Sequence, residues 1–193
     1  MDHRIEAIEK YAKDNNVPIM EHEGIEFLTK YIKEHNVKKI LEIGTAIGYS
    51  AIRMALIDNN IKIVTIERDK NRYDEALKNI SNMDLKNQIT PILNDAFDVV
   101  LDEKYDLIFI DAAKAQYIKF FEKFKNNLSE NGVIISDNLN FHGLTHGEHK
   151  NLSRNVKGLV RKLNLYIEFL KNNEEFNTIF LELGDGIGIS TRK

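Results

Sequence analysis

Leu41-Glu42-Ile43-Gly44-Thr45-Ala46-Ile47-Gly48-Tyr49-Ser50 joins an apolar strand to a helix through a glycine turn. The strand Lys39-Ile40-Leu41-Glu42-Ile43 leads in, and the helical pattern Tyr49-Ser50-Ala51-Ile52-Arg53-Met54-Ala55-Leu56 leads out. This is the first βα corner of an α/β sheet, in which ligands bind beyond the carboxyl ends of the strands. Further strand patterns follow at 61–66, 88–93, 105–110, 132–136, 177–183 and 187–191, alternating with helical ones. Alternation of this kind predicts a parallel sheet covered on both faces. The last two strand patterns are separated by Gly184-Asp185-Gly186, a hairpin-type turn, so the mostly parallel seven-stranded sheet ends in an antiparallel last strand. Two helical patterns, 4–15 and 21–35, open the chain. Ile25, Leu28 and Ile32 give the second one apolar face.

The turn lacks one thing. A dinucleotide fingerprint needs a middle glycine so that the backbone can approach a pyrophosphate, and Ala46 stands there. Glu42 would also repel a phosphate but suits a cationic ligand. S-adenosylmethionine is such a ligand, with a sulfonium, an ammonium and no phosphate. The same turn also occurs as plain strand-to-helix geometry, and two later strand ends weigh against that. The second strand ends on Glu67, roughly 20 residues on, where an acid can accept ribose hydroxyls. The third ends in Asn94-Asp95-Ala96, which places a carboxylate within reach of an adenine amino group.

With 193 residues, no repeat and no linker, the chain reads as one domain, 1–193. It has no cysteine, which excludes disulfides and thiolate metal sites. The charged opening Met1-Asp2-His3-Arg4-Ile5-Glu6 has no signal-peptide core, and no apolar run nears the roughly 18 residues of a membrane span. A cytoplasmic protein with no membrane partner is expected. A net charge of −3 gives no general affinity for polyanions, so any nucleic-acid contact needs a local patch.

The fourth strand pattern, Tyr105-Asp106-Leu107-Ile108-Phe109-Ile110, ends in Asp111, with Lys114 three residues on. The fifth, Val133-Ile134-Ile135-Ser136, ends in Asp137-Asn138. If these strands are neighbours, Asp111, Asp137 and Asn138 converge at the edge that carries the glycine turn. Three oxygen ligands suit a hard octahedral cation such as Mg²⁺, and Ca²⁺ or Mn²⁺ could substitute. Each acid taken alone reads more simply as a cap for the segment after its strand, and the pair with an adjacent asparagine beside the crevice reverses that preference. Lys114 is either a solvated lysine or, beside a metal-bound hydroxyl, a base.

Together these motifs resemble the metal-dependent O-methyltransferases of the catechol and caffeoyl-CoA type, which have a Rossmann-like methyltransferase fold. The likeness runs through Glu42-x-Gly44-Thr45-x-x-Gly48-Tyr49-Ser50, Asp111-x-x-Lys114, Asp137-Asn138 and Gly184-Asp185-Gly186. Within that family the chain looks most like bacterial tRNA 5-hydroxyuridine methyltransferases, through Pro18-Ile19-Met20-x-x-Glu23-Gly24-Ile25 and Ser153-Arg154-Asn155-Val156-Lys157. The resemblance implies cofactor contacts by Met20, Glu42, Gly44, Thr45, Ser50, Glu67, Asp95, Ala96 and Asp111. It implies Mg²⁺ on Asp111, Asp137 and Asn138, and catalytic roles for Lys114 and Asp111 beside the acceptor hydroxyl. It also implies a homodimer, with residues 1–36 as a helical lid and dimer segment. Asn94 departs from the family, which has glycine before the adenine-contacting acid.

The stretch after Asn138 would overhang the metal and so choose the acceptor. Between 139 and 164, Lys150, Arg154, Lys157, Arg161 and Lys162 face a single acid, Glu148. Lys150, Arg154, Lys157 and Arg161 read either as an RNA phosphate patch for a tRNA anticodon loop or as a solvated basic face. Phe141 could stack on a splayed base or simply pack. His142, His146 and His149 lie in a glycine-broken stretch with no fixed frame for zinc. Phe120, Phe121 and Phe124 read as the buried side of a helix. Two other classes, a catechol-type methyltransferase and a non-catalytic binding module, compete with the RNA enzyme. The intact Asp111, Lys114, Asp137 and Asn138 weigh against a mere binder.

Overall fold

The computed structural model describes residues 2–140 and 153–193. Phe141, His142, His146, His149 and Lys150 lie outside the described residues. Helices α1 (His3–Asp14) and α2 (His22–Glu34) precede the first strand, β1 (Lys39–Ile43). Then come α3 (Tyr49–Ala55), β2 (Lys62–Glu67), α4 (Lys70–Asn82), β3 (Ile89–Leu93) and β4 (Tyr105–Ile110). A 3₁₀ turn over Lys114–Gln116 leads to α5 (Tyr117–Phe124) and β5 (Leu128–Ser136). The chain closes with α6 (Arg154–Lys171), β6 (Phe176–Leu181) and β7 (Ile187–Arg192). Among the described residues no helix is long and apolar enough to cross a membrane.

All seven strands form one sheet in the order β3-β2-β1-β4-β5-β7-β6. The pairs from β3 through to β5 are parallel, and β7 runs antiparallel to both its neighbours. That is the expected Rossmann-like arrangement, with six strands in one direction and the last reversed. The central strands are apolar on both sides because both sides are covered. Ile40, Leu107, Phe109, Val133 and Ile135 pack under α1, α2, α3 and α4. Leu41, Ile43, Ile108, Ile110 and Ile134 pack under α5 and α6. Phe120, Phe121 and Phe124 are all buried in α5, and Phe121 meets Phe176 edge-on at 5.0 Å.

Local chemistry sets the helix starts. Asp2, Asp69 and Ser153 each turn a side-chain oxygen onto the free N–H groups of the helix that follows. Two strand bounds differ from the sequence reading by more than one residue. β5 starts at Leu128 rather than 132, with a register break against β4 that carries Glu130-Asn131 as an exposed step. β6 stops at Leu181, so the final hairpin has a longer connection than its three central residues. The extra length lets Asp185 turn inward.

Candidate active site

A parallel sheet brings its carboxyl ends to one edge. From β3 to β5 that edge carries Asp95 and Ala96, then Glu67, then Gly44, then Asp111, then Asp137 and Asn138. A cavity of about 340 Å³ runs along it, of a size for a small molecule. Gly44, Glu67, Asp95, Ala96, Asp111, Lys114 and Asn138 all line it.

Glu67 is held ready at the centre of the first half. One carboxylate oxygen accepts from the Ala46 N–H at 2.8 Å, and the other from the N–H groups of Arg68 and Asp69 at 3.0 and 2.8 Å. The Ala46 contact needs a left-handed turn, and Ala46 has φ 46°. Asp95 caps its own loop, accepting from the Phe97 N–H at 3.0 Å, and lies 3.8 Å from Arg68. Asn94, in the family's glycine position, turns its side-chain oxygen onto the Asp95 N–H at 2.9 Å.

Four expected cofactor residues are not in the cavity wall. Glu42 is fully buried and accepts from the hydroxyls of Ser50 and Thr65, each at 2.5 Å. Thr45 joins the same cluster through Thr65 at 2.5 Å. These side chains brace the turn from beneath. Met20 is buried against Gly24, and its neighbours Pro18 and Ile19 line the cavity instead. The sequence reading also missed Arg68, Arg72 and Phe97 at the rim.

Burial raises the Glu42 carboxyl to about 7, the two hydroxyls oppose the rise, and the charges of Asp111 and Glu67 add to it. Because the folded value lies above the ordinary 4.5, the folded state holds this proton more tightly than the unfolded chain. That stabilisation is complete below about pH 4.5 and is lost as pH rises through 7, at a cost of about 3 kcal/mol. Glu42→Gln in the cofactor-free protein is therefore expected to gain urea resistance at pH 8 but not at pH 4.5. An equal effect at both pH values would contradict the burial of an ionisable group.

In the second half, the Asn138 side-chain amide donates to Asp111 and to Asp137, both at 3.0 Å. Asn138 reaches them from a left-handed backbone, φ 64°. The Tyr117 hydroxyl pins this segment from behind by donating to the Asp137 carbonyl at 3.1 Å. Burial, and then the charge of Asp111, pushes the Asp137 carboxyl up, and burial raises Asp111 as well. Burial lowers Lys114, against the pull of Asp111, Asp137 and Asp185. Turning the Asn138 amide over would bring its oxygen to the two crowded carboxyls, and that oxygen-donor set fits a hard cation, which would relieve the repulsion between them. Among the described residues no three His, Asp or Glu side chains converge to hold a metal, so the fit depends on the Asn138 amide.

An O-methyltransferase family model matches residues 2–193. The chain belongs to the O-methyltransferase family. It is 29% identical to a caffeoyl-CoA O-methyltransferase of Stellaria longipes over 180 residues, covering 87% of this chain and 72% of that protein. A Staphylococcus aureus crystal structure, provisionally described as a caffeoyl-CoA O-methyltransferase, superposes with a TM-score of 0.94 at 39% identity, over 98% of this chain and 92% of that one. An O-methyltransferase from Bacillus cereus, in complex with SAH, superposes with a TM-score of 0.86 at 25% identity, over 100% and 92%. The family thus spans both halves of the cavity and the closing hairpin.

Proposed function

We propose that this O-methyltransferase moves the methyl group of S-adenosylmethionine to the O5 hydroxyl of 5-hydroxyuridine at the tRNA wobble position, giving 5-methoxyuridine, with Mg²⁺ at Asp111, Asp137 and Asn138. Its coarser part, an S-adenosylmethionine-dependent O-methyltransferase of the caffeoyl-CoA type, has the support of the family and of the relatives above. The RNA acceptor rests on one observation. Arg154, Lys157 and Arg161 are exposed, at helical spacing, on the first turns of α6, with no acid between 153 and 164. A second reading, a small catechol-like vicinal diol, is favoured by the plant relative, whose name gives caffeoyl-CoA as its acceptor.

Both acceptors present two neighbouring oxygens. Bound Mg²⁺ would supply a Lewis acid to such a pair and acidify its hydroxyl. Bound S-adenosylmethionine would supply the sulfonium methyl. The chain's own residues do the rest. Glu67, fixed by three backbone N–H groups, receives the ribose hydroxyls, and Asp95 and Ala96 flank the adenine. Pro18 and Ile19 close the methionine end as part of the 1–36 lid. Lys114, an ammonium in the empty site, gives its proton to solvent as the acceptor binds, a loss that burial favours, and its neutral Nζ then takes the hydroxyl proton. Asp111 sits at the junction of the two halves and aligns donor and acceptor. A cytoplasmic homodimer acting on the anticodon loop belongs to the same proposal.

The stripe is tested with Arg154→Gln, Lys157→Gln and Arg161→Gln combined. KM for tRNA is expected to rise about tenfold or more, and the slope of log KM against log salt to flatten by about two to three. An unchanged KM and slope would return the stripe to a solvated face and favour the small diol.

A further inference from the structure

Asp185 has no part in the chemistry above, yet its place is unusual. An acid between two glycines in a hairpin connection is ordinarily solvated, and here it is only 6% exposed. Gly184 and Gly186 both take left-handed backbone, φ 52° and 85°. The Asp185 carbonyl accepts from the Asn140 N–H at 2.6 Å, and the Gly186 carbonyl from the Leu139 N–H at 2.9 Å. A Cβ on Gly186 would lie 2.7 Å from the Asn140 nitrogen. The hairpin tip is therefore pressed onto the two residues that follow Asn138, and only glycine allows that approach.

The tip lies against the two residues that follow Asn138, so its buried carboxylate adds negative charge beside Asp111, Asp137 and Lys114. It does not complete a set of three acids able to grip one ion. Its effect is thus one of charge. Asp111, Asp137 and Asp185 set against Lys114 leave two negative charges, which one divalent cation cancels. Without Asp185 one negative charge remains.

We propose that Asp185 is a positioning residue whose buried carboxylate keeps the Lys114 ammonium at the cavity and sets the cluster's net charge for a divalent cation. The inference rests on the cation reading of Asp111, Asp137 and Asn138. Groups just outside a metal's ligands commonly change its affinity 10–100-fold.

The test is calorimetric titration of Mn²⁺ and, separately, of S-adenosylhomocysteine into the full chain and its variants. Asp185→Asn is expected to weaken Mn²⁺ about tenfold or more while S-adenosylhomocysteine binding stays within about twofold. Asp185→Glu is expected to recover most of the Mn²⁺ affinity. Adding Lys114→Gln to Asp185→Asn restores two negative charges, and is expected to recover affinity too. A purely structural hairpin residue would show no such rescue. Wild-type Mn²⁺ affinity in Asp185→Asn would overturn the inference and leave the cation reading standing. Parallel loss of both ligands without rescue would also overturn it. A wild-type chain that binds no Mn²⁺ would overturn both.

Discussion

Asp137→Ala is expected to abolish methyl transfer, lowering turnover by about a thousandfold or more, roughly 4 kcal/mol of transition-state stabilisation. The same change is expected to make the ligand-free protein harder to unfold at neutral pH. The two effects have one cause. Asp137 is 2% exposed, its carboxyl is pushed up by burial and then by Asp111, and holding that charge in place costs the fold stability. Its raised value means that this cost grows as pH rises above the ordinary carboxylate range. Alanine removes the cost along with the function. Turnover with S-adenosylmethionine, a urea melt at pH 7.5 and S-adenosylhomocysteine binding together check it. Full activity in the variant would contradict the cation site, and lost cofactor binding would contradict the division of the cavity into two halves.

Gly44→Ala is expected to damage both halves at once. Gly44 has φ 106°, and a Cβ there would lie 2.0 Å from the Asp111 carbonyl oxygen and 2.8 Å from its carbon. Neither is a flexible side-chain end that could swing away. The neighbouring backbone is also committed, since the Gly44 N–H donates to the Ile66 carbonyl at 3.0 Å and the Asp111 N–H to the Ile43 carbonyl at 3.0 Å. Left-handed strain and backbone overlap together cost about 3 kcal/mol or more. The β1 and β4 tips must part, which carries Asp111 away from Asn138 and opens the turn above Glu67. Stability by urea titration is expected to fall by that amount and S-adenosylhomocysteine affinity by at least about tenfold. A variant with wild-type melting and affinity would show that the tips do not pack as described.

The sheet was legible because its strands announce themselves: apolar runs buried on both faces, each ending in a polar residue, leave few ways to order them. The gathering of Glu67, Asp111 and Asp137 on one edge follows from parallel pairing alone. The depth of Glu42 was not legible. It is the fourth residue of a five-residue strand and pairs in register with Thr65, so the pleat turns it into the protein beneath α3, where Ser50 and Thr65 receive it. Sequence position placed it near the strand's end, and the pleat decided which way it faced. Met20 poses the same problem, since its neighbours Pro18 and Ile19 line the cavity while its own side chain turns onto Gly24. Asp185 escaped notice because Gly184-Asp185-Gly186 has the composition of a solvated turn. Only the close approach of Gly186 to Asn140 turns it inward.

The most direct measurement is methyl transfer from labelled S-adenosylmethionine to tRNA bearing 5-hydroxyuridine, run with Mg²⁺ and with EDTA beside a catechol control. Label recovered in 5-methoxyuridine, and lost on adding EDTA, is the predicted result. Label in the catechol alone would contradict the RNA acceptor, and transfer to tRNA that survives EDTA would contradict the metal site.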